Sequence, residues 1–226
     1  MSAVNGAREF VSAVNGARGC SQVKLAIIDY GIGNLRSAEK ALQRVGADAR
    51  LTSDPSDISA ADGVVMPGVG NFGACMNALR RDGLDEIVHA VVASGVPFLG
   101  ICVGMQMLFD TSVESPDVPG LGIINGTVEL LPDTVKRPQM QWNQLHWGAN
   151  SALAQGLEAE PWVYLVHSYY CVPSDSTTII ATCDYGVDVA CVVQQRNVTA
   201  TQFHPEKSGT MGLAILANWT QSVKVA

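Results

Sequence analysis

Gly100-Ile101-Cys102-Val103-Gly104 lies between the apolar run Val96 to Leu99 and a segment of helical pattern, and reads as a sharp strand-to-helix turn with a cysteine at its apex. Glycines flank the apex of such an elbow because the strained turn leaves no room for Cβ atoms. The helix that follows points its N-terminal amides at the reacting centre, where they favour a thiolate and an oxyanion alike. An elbow of this kind belongs at the carboxyl edge of an open α/β sheet, which is where such folds gather their functional residues.

The surroundings carry the same grammar. Residues Ile87 to Phe109 contain no Asp, Glu, Lys or Arg, a length that would admit a membrane helix. Ser94-Gly95, Pro97 and the elbow break the run into a helix, a short buried strand and a second helix. Upstream, Leu25 to Ile28 reads as a buried strand, and Leu35, Ala38, Leu42 and Val45 recur at helical spacing up to Gly46. Gly63 to Met66 repeats the strand signal before the loop Pro67-Gly68-Val69-Gly70. Alternating strands and helices predict parallel pairing with right-handed crossovers. Beyond Pro119 the pattern turns β-rich, at Thr127 to Leu131, Trp162 to His167, Thr178 to Thr182, Val187 to Gln194 and Val198 to Gln202. These strands are expected to be antiparallel, with a hairpin at Arg196-Asn197 and a closing helix from Thr210 to Val223.

A chain of 226 residues, 47% hydrophobic and 15% charged, can bury one full core, and no linker divides residues 23–226. Before them, Ser-Ala-Val-Asn-Gly-Ala-Arg occurs at 2–8 and again at 12–18, so 1–22 is expected to be a disordered extension. It lacks the apolar core of a secretory signal. A net charge of −7 with scattered Lys and Arg argues against nucleic-acid binding. The six cysteines form no C-x-x-C pair, which favours reduced thiols in a cytosol over disulfides or zinc.

Cysteine catalysis needs a thiolate, a base that holds and returns the proton, a group that orients the base, and amides for the oxyanion. Cys102 supplies the nucleophile, His204 the base, and Glu206, two residues on in an extended segment, shares a face with it. The oxyanion donors are the amide of Val103 and one from the Pro67–Gly70 loop, at Val69 or Gly70. The other five cysteines read as inert. His89 and His146 read as surface or packing residues, and Trp142 as a loop aromatic. Asp29 to Asn34 lacks the third glycine of a dinucleotide turn. His167-Ser168-Tyr169-Tyr170 ends a strand with four hydrogen-bonding residues that could line a pocket for a zwitterion. On these residues alone, amides, esters and peptides all remain open as substrates.

Gly100 to Gln106 (G-x-C-x-G-x-Q) and Phe203-His204-Pro205-Glu206 together resemble the signatures of the class I glutamine amidotransferases. Adding Asp29 to Leu35, Pro67 to Gly70, His167 to Tyr169 and Lys207 to Gly209, the chain resembles one branch of that family, the glutaminase subunits of imidazole glycerol phosphate synthases. The resemblance implies a flavodoxin-like open mixed sheet with helices on both faces and an antiparallel C-terminal part. It implies glutamine bound near Gly68, Gln106, His167, Ser168 and Tyr169, and a glutamyl thioester on Cys102. It also implies no cofactor or metal, a cytoplasmic setting, and a (β/α)8 cyclase partner that Asn34, Trp142 and Lys207 face. Three positions depart from the branch: Gln141 stands where glycine is usual, Val103 where leucine is commoner, and Asn71 where a small residue often precedes the aromatic.

Overall fold

The computed structural model describes residues 22–148 and 151–224. The duplicated heptapeptide lies outside the described residues.

Four strands build the first half of the main sheet: β1 (Lys24–Ile28), β2 (Asp48–Thr52), β3 (Gly63–Gly68) and β4 (Phe98–Cys102). They pair in parallel in the order β2-β1-β3-β4. The connections are filled by α1 (Leu35–Arg44), α2 (Pro55–Ser59), α3 (Phe72–Arg81) and α4 (Leu84–Ala93). The step from β1 to β2 runs one way along the sheet and the later steps run the other. Right-handed crossovers therefore put α1 on one face and α2 to α4 on the opposite one. Covered on both sides, β3 and β4 are buried along their whole length, as continuous apolar strands require. Local signals start the helices: Asp54 accepts from the Ser56 amide ahead of Pro55, and Asn71 accepts from the Ala74 amide at 2.9 Å.

The second half begins with the short helix α5 (Val103–Gln106) and, among the described residues, continues through nine strands. These are β5 (Thr111–Ser112), β6 (Gly126–Leu130), β7 (Gln139–Gln144), β8 (His146–Trp147), β9 (Trp162–His167), β10 (Tyr169–Pro173), β11 (Ile179–Asp184), β12 (Asp188–Gln195) and β13 (Val198–Thr201). Helix α6 (Gly209–Val223) closes the chain and packs on α1. Strand β13 is antiparallel to β12, as the hairpin predicts, yet parallel to β4, so it completes one eight-stranded mixed sheet, β2-β1-β3-β4-β13-β12-β11-β8. The remaining strands form two small sheets, β10-β6-β5 and β7-β9.

This pairing fixes the site, because Pro67, Ile101 and Thr201 lie level on β3, β4 and β13. The residues that follow each of them emerge together at one edge. A single core spans both halves, from Ile27 and Val65 to Val192, Phe203 and Trp219.

Three expectations need correction. The helix after the elbow is one turn long, because the chain bends at Met107 to Asp110 and tucks Leu108 and Phe109 into the core. Trp142 sits on strand β7 rather than in a loop. The strands expected to be antiparallel are divided among three sheets, in which β13 also pairs in parallel with β4 and β6 with β5.

Candidate active site

Cys102 ends β4 with φ 57° and ψ −113°, a region an L-residue enters at a cost of about 1–3 kcal/mol. What holds it there is the fit of the turn against the neighbouring strand. A Cβ on Gly104 would overlap the Met66 carbonyl oxygen, so α5 can lie this close to β3 only with glycine at that point. The sulfur is thereby lifted to the carboxyl edge, where it shares one cavity with the His204 ring and the Gln202 amide nitrogen stands 3.9 Å away.

His204 and Glu206 come from the segment after β13. The ring Nδ1 donates to Glu206 Oε1 at 2.8 Å, and both side chains are almost wholly buried. Their shared face does not come from an extended strand, since Pro205–Lys207 is a turn of 3-10 helix. That turn is braced: Ser208 Oγ donates to the His204 carbonyl at 2.7 Å and accepts from the Tyr164 amide at 2.9 Å, while the His204 amide donates to the Tyr164 carbonyl at 3.1 Å. Burial alone would lower the His204 pKa, but the hydrogen bonds and negative charge of Cys102 and Glu206 prevail and raise it to about 9. The ring thus stays protonated beside the sulfur at neutral pH. Glu206 Oε2 is buried without a partner.

Beside Cys102 opens a cavity of about 520 Å3. Val69, Gly70 and Val103 line it next to the sulfur, and Gly70 turns the loop with φ +93°. Gln106, His167, Ser168 and Tyr169 also line it. Gly68 lies beneath, paired with Cys102 across β3 and β4.

Gln106 is itself held, its amide nitrogen donating to the Tyr169 carbonyl at 3.0 Å and to Gln202 Oε1 at 3.2 Å. His167 Nδ1 lies 2.9 Å from the Tyr169 carbonyl, which can only accept, so this nitrogen carries the proton. Its Nε2 is left as a buried acceptor with no partner. Burial, reinforced by the charge of His204 and opposed by the Tyr169 carbonyl, lowers the His167 pKa to about 4, so the ring is neutral.

Asn34 and Lys207 reach the rim of the cavity. Trp142 stands outside it, half-exposed and edge-on to Tyr164 with ring centroids 6.0 Å apart. Met140 and Trp162 are exposed on the same two-stranded ribbon. His89 is an exposed residue of α4 and His146 pairs with Glu160 at 3.3 Å, as surface residues do. Among the described residues no cluster of His, Cys, Asp or Glu suits a metal ion, and no helix is long and apolar enough to cross a membrane.

Three residues escaped the sequence reading. Gln202 is fully buried and links Gln106 to the Cys102 sulfur. Its signal is a glutamine set among buried strand residues. Tyr30 donates to the Pro67 carbonyl at 2.6 Å, and Cys75, read as inert, points its thiol at the Val69 carbonyl at 3.3 Å.

A model of the class-I glutamine amidotransferases matches residues 26–222. The chain belongs to that family. Its relatives include the protein named imidazole glycerol phosphate synthase subunit HisH in Moorella thermoacetica, 45% identical over 202 residues that cover 89% of this chain and 96% of that one. The protein of the same name in Methanothermobacter thermautotrophicus is 48% identical over 200 residues, covering 88% and 99%. Among solved structures, one described as a glutamine amidotransferase superposes with a TM-score of 0.71 at 19% identity, covering 89% of this chain and 99% of that one. At that identity the likeness concerns the fold, and the class-I amidotransferase fold is what the sheet order and the elbow display.

Proposed function

We propose that this class-I glutamine amidotransferase hydrolyses glutamine to glutamate and ammonia and supplies the ammonia to a (β/α)8 cyclase subunit of imidazole glycerol phosphate synthase. The cyclase makes imidazole glycerol phosphate and AICAR in histidine biosynthesis, in the cytoplasm. The observation that carries this reading is the buried His204–Glu206 hydrogen bond of 2.8 Å beside a cysteine on a strained elbow. Relatives at 45–48% identity that bear the name of that synthase's subunit support the acceptor.

Glutamine lies in the cavity with its side-chain amide at Cys102, its polar ends met by Gln106, His167, Ser168 and Tyr169. The thiolate attacks the amide carbon, the C=O electrons move to oxygen, and the oxyanion is received by the amides of Val103 and of the Val69–Gly70 stretch. Each such donor is worth about 3–4 kcal/mol. His204 gives its proton to the departing nitrogen, ammonia leaves, and a glutamyl thioester remains. Glu206 holds the ring in the tautomer that faces sulfur. Water then attacks the thioester with His204 as base, and glutamate is released. Asn34, Lys207 and the exposed ribbon of Trp142 face the cyclase.

Glutamate release is to be measured with and without the cyclase. The partner should raise it sharply, and Cys102→Ala should reduce it by at least a thousandfold. Retained turnover in that variant would remove Cys102 from the mechanism.

A further inference from the structure

The loop Pro67-Gly68-Val69-Gly70 is gripped from below by two buried side chains that the chemistry does not use. Tyr30 stands two residues beyond the end of β1, is 1% exposed, and donates its hydroxyl to the Pro67 carbonyl at 2.6 Å. Cys75, fully buried on α3, directs its thiol at the Val69 carbonyl at 3.3 Å. Burial pushes the Cys75 thiol up to about 11 and the Tyr30 hydroxyl higher still, so both remain protonated donors at neutral pH.

A peptide unit is planar, so fixing its carbonyl also fixes the N–H on the other side. Tyr30 therefore sets the direction of the Gly68 N–H, and Cys75 that of the Gly70 N–H. The plane between them, carrying the Gly68 carbonyl and the Val69 N–H, is held by neither side chain. A Cβ on residue 68 would meet the Gly104 amide nitrogen and the Tyr30 hydroxyl, so glycine there lets the loop lie against the elbow. Beyond the loop, the Phe72 amide donates to Glu114 at 2.6 Å, so the start of α3 is tied down as well.

We infer that Tyr30 and Cys75 are positioning residues that clamp the two flanking peptides of the Pro67–Gly70 loop and so hold the loop's N–H groups aimed at the developing oxyanion. The inference rests on the glutaminase reading above and adds the residues that aim its oxyanion donor. An aimed donor acts on charge that forms in the transition state, so loosening the clamp lowers kcat and leaves KM for glutamine alone.

The test uses the full chain with its cyclase partner. Tyr30→Phe keeps the ring and removes the hydroxyl. It should lower kcat about tenfold, less than the roughly hundred- to thousandfold of a donor lost outright, with KM within twofold of wild type. Cys75→Ala should act in the same direction, and the double variant should lose little more than the worse single one, because both hold one loop. Met107→Leu removes another neighbour of the Tyr30 hydroxyl, a sulfur 3.9 Å away that does not touch the loop carbonyls, and should leave kcat unchanged. Hydrogen exchange of the amides from Gly68 to Asn71, followed on the chain alone, should quicken in both clamp variants. Unchanged kcat with unchanged exchange, or a rise in KM in place of a fall in kcat, would overturn the inference. A wild-type complex with no glutaminase activity would instead overturn the proposed function, and the exchange measurement would still decide whether the clamp exists.

Discussion

Cys102 is held at φ 57°, so the backbone there favours glycine over any L-residue. Glycine in place of alanine ordinarily destabilises by about 0.5–1 kcal/mol, but at this position the strain it relieves is as large or larger. Cys102→Gly should therefore melt at or above the temperature of Cys102→Ala, and the ordinary order would mean that the elbow is not strained. His204 gives a second residue-scale expectation. Its folded pKa of about 9 lies above the ordinary 6.5. Below 6.5 the ring is charged whether the chain is folded or not, and its preference for the folded state is fully present. That contribution drains away as pH rises from 6.5 through 9. The proton needed by the leaving ammonia is lost over the same rise, so the glutaminase rate of the complex should fall as pH passes about 9. A rate that holds level to pH 10 would contradict the assignment of His204 as proton donor.

Elements explain why these residues meet and why some of them could be read in advance. Strands β4, β9 and β13 announce themselves because burial leaves apolar or alternating runs, as in Trp162–His167 with its alternate burial. Strand β7 does not, since Gln139–Gln144 exposes three of its six residues and its one aromatic faces outward. Edge strand β2 (Asp48–Thr52) is masked by its charges in the same way. Gln202, Tyr30 and Cys75 were illegible for a different reason. Each lies in a buried stretch, where a polar group looks like packing until the carbonyl, amide or sulfur it meets is known. The 3-10 turn at Pro205–Lys207 could not be told from a strand by spacing, because either geometry brings residues 204 and 206 together. The elbow, by contrast, was legible through its glycines, and its closest constraint is testable. Gly104→Ala would drive a Cβ into the Met66 carbonyl at the end of β3. Such overpacking should cost about 2–3 kcal/mol in urea unfolding and abolish activity. Wild-type stability in that variant would show that α5 does not depend on the close approach.

At the scale of the whole molecule, the fold divides the reaction between its halves. The parallel half brings Cys102 and the Pro67–Gly70 loop to the ends of β4 and β3, and the second half returns β13 alongside β4 to deliver His204 and Glu206. No single element carries the site, so the triad assembles only when Pro67, Ile101 and Thr201 stand level across three strands. Asn34 and Lys207 line the same cavity as Cys102 and His204. The central claim is that Cys102, among six cysteines, is the one that forms a covalent bond with glutamine's side-chain carbon. It is tested most directly by treating the chain, with the cyclase partner present, with a diazoketone analogue of glutamine and mapping the adduct by mass spectrometry. One adduct, on Cys102, blocked by excess glutamine, is the predicted result. An adduct on another cysteine, or none at all with the partner bound, would contradict it.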